Sequence, residues 1–581
     1  PQFGLARLLA GFGAGRQGVR WLAGKGPSTR EAARLHFLAE ALRPAATTSA
    51  WSRFARTGEA TAMARSLTGI SEIEAPGPEA EAAAISLILR EAIETPGRTA
   101  ALVTPDRNLG RRVAAELERW GLRVDDSAGR PFAKTVQGAF LDLVLGALET
   151  DFAPVETMAL LKHPLTRLGL AVGPARKAAR ALELLVFRRD YLGSGLGGIR
   201  TALAAARNEH AAGRLRHPVV RRLTAADVDN AGDLLGRLEK AYEPLTDIAR
   251  FREPAPLSRL SAAHARVAEA IAAREEASKD VPPIVWSGEA GEMAAELFQK
   301  LADSALPQMR LATAEYPDLY RGIVADLAVR LSVSLHPRLF IWGPFEARLM
   351  QPDIVVLGGL NEGAWPQAAD PGPWLNRQMR SALGLPSPEE RIGHEAHDLC
   401  SLLGAPRVVL TRSAKADGNP TVPSRWLLRI NALLAALGRD PAGETSDNRP
   451  WLEWAGHKNR IVARETINAP APAPPVSLRP RSLSVSDIET WIGNPYAIFA
   501  RRILRLEPLP PLAAEPGPAL RGTLIHQALH RFTGLYPGVL PENASRLLTA
   551  ILDDLLREHA AHPRIAAFWR PRFRRFAEWF A

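Results

Sequence analysis

Cysteine is almost absent from this sequence: Cys400 is the single one in 581 residues. One thiol excludes a disulfide framework and a metal cluster made of cysteines alone, and it fits a reducing compartment. Long apolar runs are absent too. None reaches the roughly 20 residues that span a bilayer, and no signal peptide is visible. No membrane partner and a cytoplasmic location are therefore expected. Lysine stops at Lys458, so residues 459–581 contain none. The chain opens at Pro1 without a methionine and stops within the amphipathic pattern Arg574-Arg575-Phe576-Ala577-Glu578-Trp579-Phe580-Ala581, so both ends read as cut. Acidic residues are outnumbered, 62 Asp and Glu against 73 Lys and Arg, for a net charge of +11. That balance suits a polyanion such as nucleic acid. It also suits an arginine-rich surface of no special purpose.

A chain of this length exceeds one core, which stops growing at about 250–300 residues, so three or four domains are expected. Residues 1–74 are rich in Ala and Arg and read as helical. Pro78 suits a first helical turn, and Ile85, Leu89 and Ile93 recur every four residues. Ala100-Ala101-Leu102-Val103 reads as a buried strand. Thr104-Pro105-Asp106 opens a helix with Leu109, Val113 and Leu117 inward, Gly121 closes it, and Leu122-Arg123-Val124 returns as a strand. Together they predict a parallel α/β sheet whose first part covers 75–134. Residues 135–335 read as an inserted helical domain without convincing strand pairs. Leu339-Phe340-Ile341-Trp342, Ile354-Val355-Val356-Leu357 and Val408-Val409-Leu410 then resume the sheet, within 336–445, as short continuous runs covered on both faces. The stretch 446–480, with Ala469-Pro470-Ala471-Pro472-Ala473-Pro474-Pro475, predicts an extended linker, and a further domain covers 481–581.

Beyond Ile354–Leu357 the chain runs Gly358-Gly359-Leu360-Asn361-Glu362-Gly363-Ala364-Trp365-Pro366. By pattern alone this is an ordinary strand-to-loop turn, although ligands of open α/β sheets bind beyond such strand ends. The stretch resembles the segment after motif V of superfamily 1 helicases, and more closely the GLNEGxWP signature of AddB and RexB proteins. Asp370-Pro371-Gly372-Pro373-Trp374-Leu375-Asn376-Arg377 and Leu385-Pro386-Ser387-Pro388-Glu389-Glu390-Arg391 are similar to the same family, and Ala101–Arg107 stands where such helicases carry motif IV. The resemblance implies a RecA-like superfamily 1 helicase domain with a helical insertion, 1–74 being the end of a preceding helicase-like domain. An active helicase needs a phosphate loop and a motif VI arginine. No GxxxxGK[ST] occurs; Gly24-Lys25-Gly26 lacks the Ser or Thr. Gly404 stands at the arginine's place, and Thr411-Arg412-Ser413, expected to follow the next strand, reads as a decoy. The resemblance thus implies a degenerate helicase region that binds and scans single-stranded DNA.

The last domain opens with Leu483-Ser484-Val485-Ser486-Asp487-Ile488-Glu489, in which Ser484 or Ser486 is the expected helix cap. Trp491–Phe499 and the basic Arg501, Arg502 and Arg505 follow, then Arg521-Gly522-Thr523-Leu524-Ile525-His526-Gln527-Ala528-Leu529-His530. This resembles the start of the RecB-family PD-(D/E)XK nuclease domain, whose conserved histidine, a ligand of catalytic Mg2+, falls on His526. His526 and His530 share a helix face, but Gln527 stands where a zinc protease needs Glu. The family's Glu, strand Asp and (Asp/Glu)-x-Lys are expected beyond Ala581, since no lysine remains. Asn494 stands where many AddB proteins have the first cysteine of an iron–sulfur cluster, so none is expected here. Arg501, Arg502, Arg505, Arg572, Arg574 and Arg575 are the DNA-binding candidates, with Arg570, Trp569, Phe573 and Phe576 interleaved among the last three.

The implied whole is one half of an AddA–AddB helicase–nuclease that resects double-strand breaks for recombinational repair. The C-terminal domain would be an Mg2+-dependent DNA exonuclease, incomplete here. An AddA-type partner would use ATP, single- and double-stranded DNA ends would be the substrates, and the nucleoid the place. An active ATP-dependent helicase subunit and a non-catalytic DNA-binding scaffold are the competing readings.

Overall fold

Six short parallel strands form the sheet around which the first part of the molecule is built. The computed structural model describes residues 3–20, 28–57, 66–189, 191, 193–214, 217–250, 253–275, 283–303, 309–330, 335–437, 450–512, 517–557 and 568–581. Gly24-Lys25-Gly26 lies outside them. Backbone contacts divide the chain into one unit of residues 1–129 and 330–465 and a second of 130–329 and 466–581.

In the first unit the strands are β1 (Ile70–Ala75), β2 (Ala100–Val103), β3 (Asp125–Asp126), β4 (Leu339–Trp342), β5 (Ile354–Leu357) and β6 (Arg407–Ser413). Their order is β1-β6-β5-β2-β4-β3, with every neighbouring pair parallel. Alternate residues serve opposite cores, as pleating requires. Ala101, Val103, Val355, Leu357, Val408 and Leu410 enter one, and Ala100, Leu102, Ile354, Val356 and Val409 the other. The first core is covered by α1 (Thr29–Ala41), α4 (Pro388–Leu402) and α5 (Arg425–Ala436). The second is covered by α2 (Pro78–Ala92), α3 (Arg107–Glu118) and α6 (Trp451–Lys458). The molecule is mixed α/β with a parallel sheet.

Several local expectations need correction. Ile70–Ala75, read as helical, is the edge strand β1, because β6 offers it a parallel partner from Ile70↔Val408 to Ala75↔Ser413. The strand expected at Leu122–Val124 lies at Asp125–Asp126 instead, paired with Phe340 and Ile341. Thr411-Arg412-Ser413 does not follow a strand; it is the end of β6, where Arg412 is ion-paired to Glu74 of β1. Within the stretch read as linker, Trp451–Lys458 is a packed helix: Trp451 is buried and its indole N–H donates to Glu91 at 2.7 Å. Residues 461–475 beyond it carry no helix or strand.

Residues 130–329 are helical, with two antiparallel two-residue pairs, Arg130–Pro131 with Ala328–Val329 and Ala255–Pro256 with Arg310–Leu311. Their long helices, Val136–Glu149, Ala225–Arg250 and Leu257–Ala272, bury one large apolar core. Two polar groups inside it are fully satisfied. His264 lies between the Leu141 carbonyl (Nε2, 3.0 Å) and the Tyr316 hydroxyl (Nδ1, 3.2 Å), and burial pushes its pKa down to about 3. Burial alone would raise the Glu183 carboxyl, but Lys162, Arg188 and Arg180 surround it at 2.8, 2.8 and 3.1 Å and hold it below its ordinary range. Among the described residues, no helix is long and apolar enough to cross a membrane.

Candidate functional site: the strand-end loop and the C-terminal helices

The loop after β5 owes its shape to close packing. A Cβ on Gly358 would stand 2.8 Å from a Leu102 methyl and 2.9 Å from a Leu109 methyl, so any larger residue would force those side chains to shift. Gly359 follows with φ +75°, a conformation glycine adopts at no steric cost. Its N–H donates to buried Glu81 at 2.9 Å, and Glu81 also accepts from Thr411 at 2.7 Å. Burial raises the Glu81 carboxyl against those two bonds. Asn361 donates to Ser413 at 3.1 Å. Glu362 accepts from the Arg425 backbone N–H (3.0 Å) and guanidinium (2.9 Å), capping the start of α5 and lowering its own pKa. Trp365 is wholly buried, edge-on to Trp426. A cleft of about 510 Å³ opens beside this loop, lined by Glu81, Asp106, Arg112, Asn361 and Asp417. A second, of about 850 Å³, lies beyond β2 and β4 and includes Arg107, Arg348, Arg391 and His394. Gly404, in the turn between α4 and β6, offers no cation to either.

The C-terminal segment begins with α7 (Val485–Gly493). Ser484 is its cap, in a reciprocal pair with Asp487: the Ser484 Oγ accepts from the Asp487 N–H (3.2 Å), and the Asp487 carboxylate accepts from the Ser484 N–H (3.3 Å). Asp487 is buried and also bears Arg502 and, at 3.7 Å, Arg501. Arg502, then Ser484, holds its carboxyl below the usual range. Two of the DNA-binding candidates thus meet on one carboxylate. Asn494 caps the next turn, its Oδ1 accepting from Ala497 at 3.1 Å. Arg505 is exposed, with φ +54°.

Three helices follow, α8 (Pro518–Leu535), α9 (Ala544–Arg557) and α10 (Arg570–Phe580). They share a small core: Leu524, Ala528 and Phe532 at four-residue spacing on α8, Leu548, Leu552 and Leu556 on α9, Phe573 and Ala577 on α10. That spacing turns His526 and His530 outward, and both are exposed. Among the described residues no group of three or more His, Cys, Asp or Glu side chains converges as a metal site. Imidazoles without oxygen ligands do not fit Mg2+, which prefers oxygen. The residues present do not by themselves hold the ion that the resemblance implies. Arg572, Arg574 and Arg575 are exposed, whereas Trp569 and Phe573 are buried in the small core and Phe576 is half-buried. Most of the aromatics interleaved with the arginines therefore serve packing. Trp579, not singled out from sequence, is an exposed ring on α10, 80% accessible. Its position seven residues after Arg572 was the available signal.

Residues 482–581 match the PD-(D/E)XK nuclease superfamily. The chain therefore carries a nuclease-superfamily domain at its C-terminal end, which indicates a nuclease-type function; such domains are generally hydrolytic and typically use Mg2+. Uncharacterized proteins of Rickettsia felis, Rickettsia bellii and Rickettsia conorii are 22%, 22% and 23% identical over 268, 277 and 262 residues. Each match covers 45% of this chain and 30% of the relative. The chain thus spans about 30% of the length of the curated relatives it matches.

Proposed function

We propose that the chain belongs to an AddB-type subunit of a helicase–nuclease that resects double-strand DNA breaks for recombinational repair. The nuclease-superfamily match over residues 482–581 carries this reading. The parallel sheet with its Gly358–Pro366 loop supports a RecA-like helicase origin for the first unit. In that unit Gly404 leaves no side chain where an active helicase needs an arginine, so it binds single-stranded DNA without turning over ATP. An AddA-type partner supplies ATP-driven unwinding, in the cytoplasm at the nucleoid. Mg2+ serves an exonuclease in the whole protein, with His526 as one ligand. No step through the ion follows from this chain's residues, because the described ones offer only the exposed imidazoles of His526 and His530 there.

The decisive experiment uses the full-length protein paired with its AddA-type partner. His526→Ala should lower Mg2+-dependent cutting of single-stranded DNA at least about 100-fold, since even outer partners of metal ligands cost 10–100-fold when removed. Unwinding should persist, which separates site loss from misfolding. Retained cutting removes His526 from the site. A second reading, a DNA-binding scaffold, is favoured by the lack, among the described residues, of carboxylates converging on His526; a full-length complex without nuclease activity would establish it.

A further inference from the structure

Ahead of α8 the chain reads Pro508-Leu509-Pro510-Pro511-Leu512, a segment with no helix or strand up to Pro511. Proline fixes φ at about −65° and pushes the residue before it into extended backbone. Three prolines in this segment therefore favour a polyproline II strap, which has three residues per turn and no internal hydrogen bonds. Burial repeats at that period. Leu509 and Leu512, three apart, pack against the large apolar core of the helical part of the same unit. Pro508 and Pro511, also three apart, are exposed.

Two side chains of the helical part meet the carbonyls of this strap. Arg188 donates through Nη1 to the Pro510 carbonyl at 2.8 Å. Its other edge is held by wholly buried Glu183, with Nε and Nη2 each 2.8 Å from the carboxylate. His217 Nε2 lies 3.3 Å from the Pro508 carbonyl, and Nδ1 accepts from the Val219 N–H at 3.3 Å. That acceptance fixes the tautomer: the proton sits on Nε2, which donates to Pro508. Both donors are thus oriented from within the helical part, ready for carbonyls two residues apart. Neither bond reads a side chain of the strap, so selectivity falls to the prolines and the two leucines.

We propose that Arg188, His217 and the adjoining core surface form a polyproline II recognition site. Its ligand class is a proline-rich peptide with leucines three residues apart, and the chain fills it with its own Pro508–Leu512. Pro518, where α8 starts, is six residues beyond Leu512, and a chain spans at most about 3.6 Å per residue. The filled site is therefore an anchor that keeps the start of α8 within roughly 20 Å of the helical core, whatever chemistry the C-terminal domain performs.

The test uses the full-length protein with one added cysteine at a time, and reads maleimide labelling by peptide mass spectrometry. Leu509→Cys and Leu512→Cys should label at least about ten-fold more slowly than Pro508→Cys and Pro511→Cys, because docking must open first. Adding Arg188→Lys with His217→Ala should bring the four rates together, since lysine keeps a charge beside Glu183 but lacks the fork that also reaches Pro510. Equal rates from the start, or a slow pair that survives the double substitution, overturn the site. A labelled peptide of residues 506–512 guards against a variant that merely misfolds. It should bind a full-length Leu509→Ser/Leu512→Ser variant at least about ten-fold more tightly than the unsubstituted protein, whose tethered strap competes at millimolar effective concentration. A peptide of residues 469–475, rich in proline but without leucine, should not bind. No binding of the 506–512 peptide to the variant, equal binding to both proteins, or equal binding of the two peptides overturns the proposal. No readout involves cutting, so such a failure leaves the nuclease-type reading in place.

Discussion

The loop after β5 and the outward faces of α8 and α10 both carry residues that a sequence reader would mark as functional, yet the structure treats them in opposite ways. In the loop nearly every marked side chain is occupied by the fold. Trp365 is buried, Glu362 caps α5, Asn361 reaches Ser413, and Gly358 is packed against Leu102 and Leu109. On the C-terminal helices the marked side chains point away from the core those helices share: His526, Arg572, Arg574 and Arg575 are exposed. A distinctive motif can therefore mark a backbone that is hard to build, while plainer residues on a helix surface remain free to meet a ligand. Arg501 and Arg502 stand between the extremes, exposed in part yet ion-paired to Asp487.

The contrast breaks most directly at its two tryptophans. Trp365→Ala should destabilise the sheet unit by about 3–5 kcal/mol, the usual cost of emptying a large buried aromatic site, whereas Trp579→Ala should stay within about 0.5 kcal/mol. Urea denaturation of both variants measures this, and equal losses would erase the distinction between motif and surface.

A smaller effect comes from the helical part of the second unit, where His264 is buried and its folded pKa is pushed to about 3, from an ordinary 6.5. The unfolded chain takes up the proton first. Stability from the neutral ring is therefore complete above about pH 6.5 and is lost as pH falls toward 3, amounting to roughly 3 kcal/mol near pH 4. An NMR titration should find the His264 ring neutral in the folded protein at pH 4.5; protonation near pH 6 would contradict its burial.

The smallest change is expected at the Ser484 cap. Ser484→Ala should cost about 1 kcal/mol, read as faster amide exchange confined to the first turn of α7. Unchanged exchange would show that Arg501 and Arg502 hold Asp487, and with it the helix start, without the serine.

The strands Ala100–Val103, Leu339–Trp342 and Ile354–Leu357 and the helices starting at Pro78 and Arg107 could be read from the chain, because continuous apolar runs and four-residue repeats reflect burial directly. Ser484 was one of two legible caps. β1 and β3 were not legible: Glu72 and Glu74 in one, and two aspartates in the other, have little intrinsic strand preference. They are strands because β6 and β4 present unpaired backbone beside them. The place of Trp451 was hidden for a similar reason, since its partner Glu91 lies far away in sequence. By itself the sequence determined the α/β character, the helical character of the stretch between the sheet's two parts and the identity of the charged and imidazole side chains in the last domain. The tertiary structure alone decided which of those side chains are consumed by ion pairs and packing and which face solvent, because that choice depends on the size of the core each helix can cover.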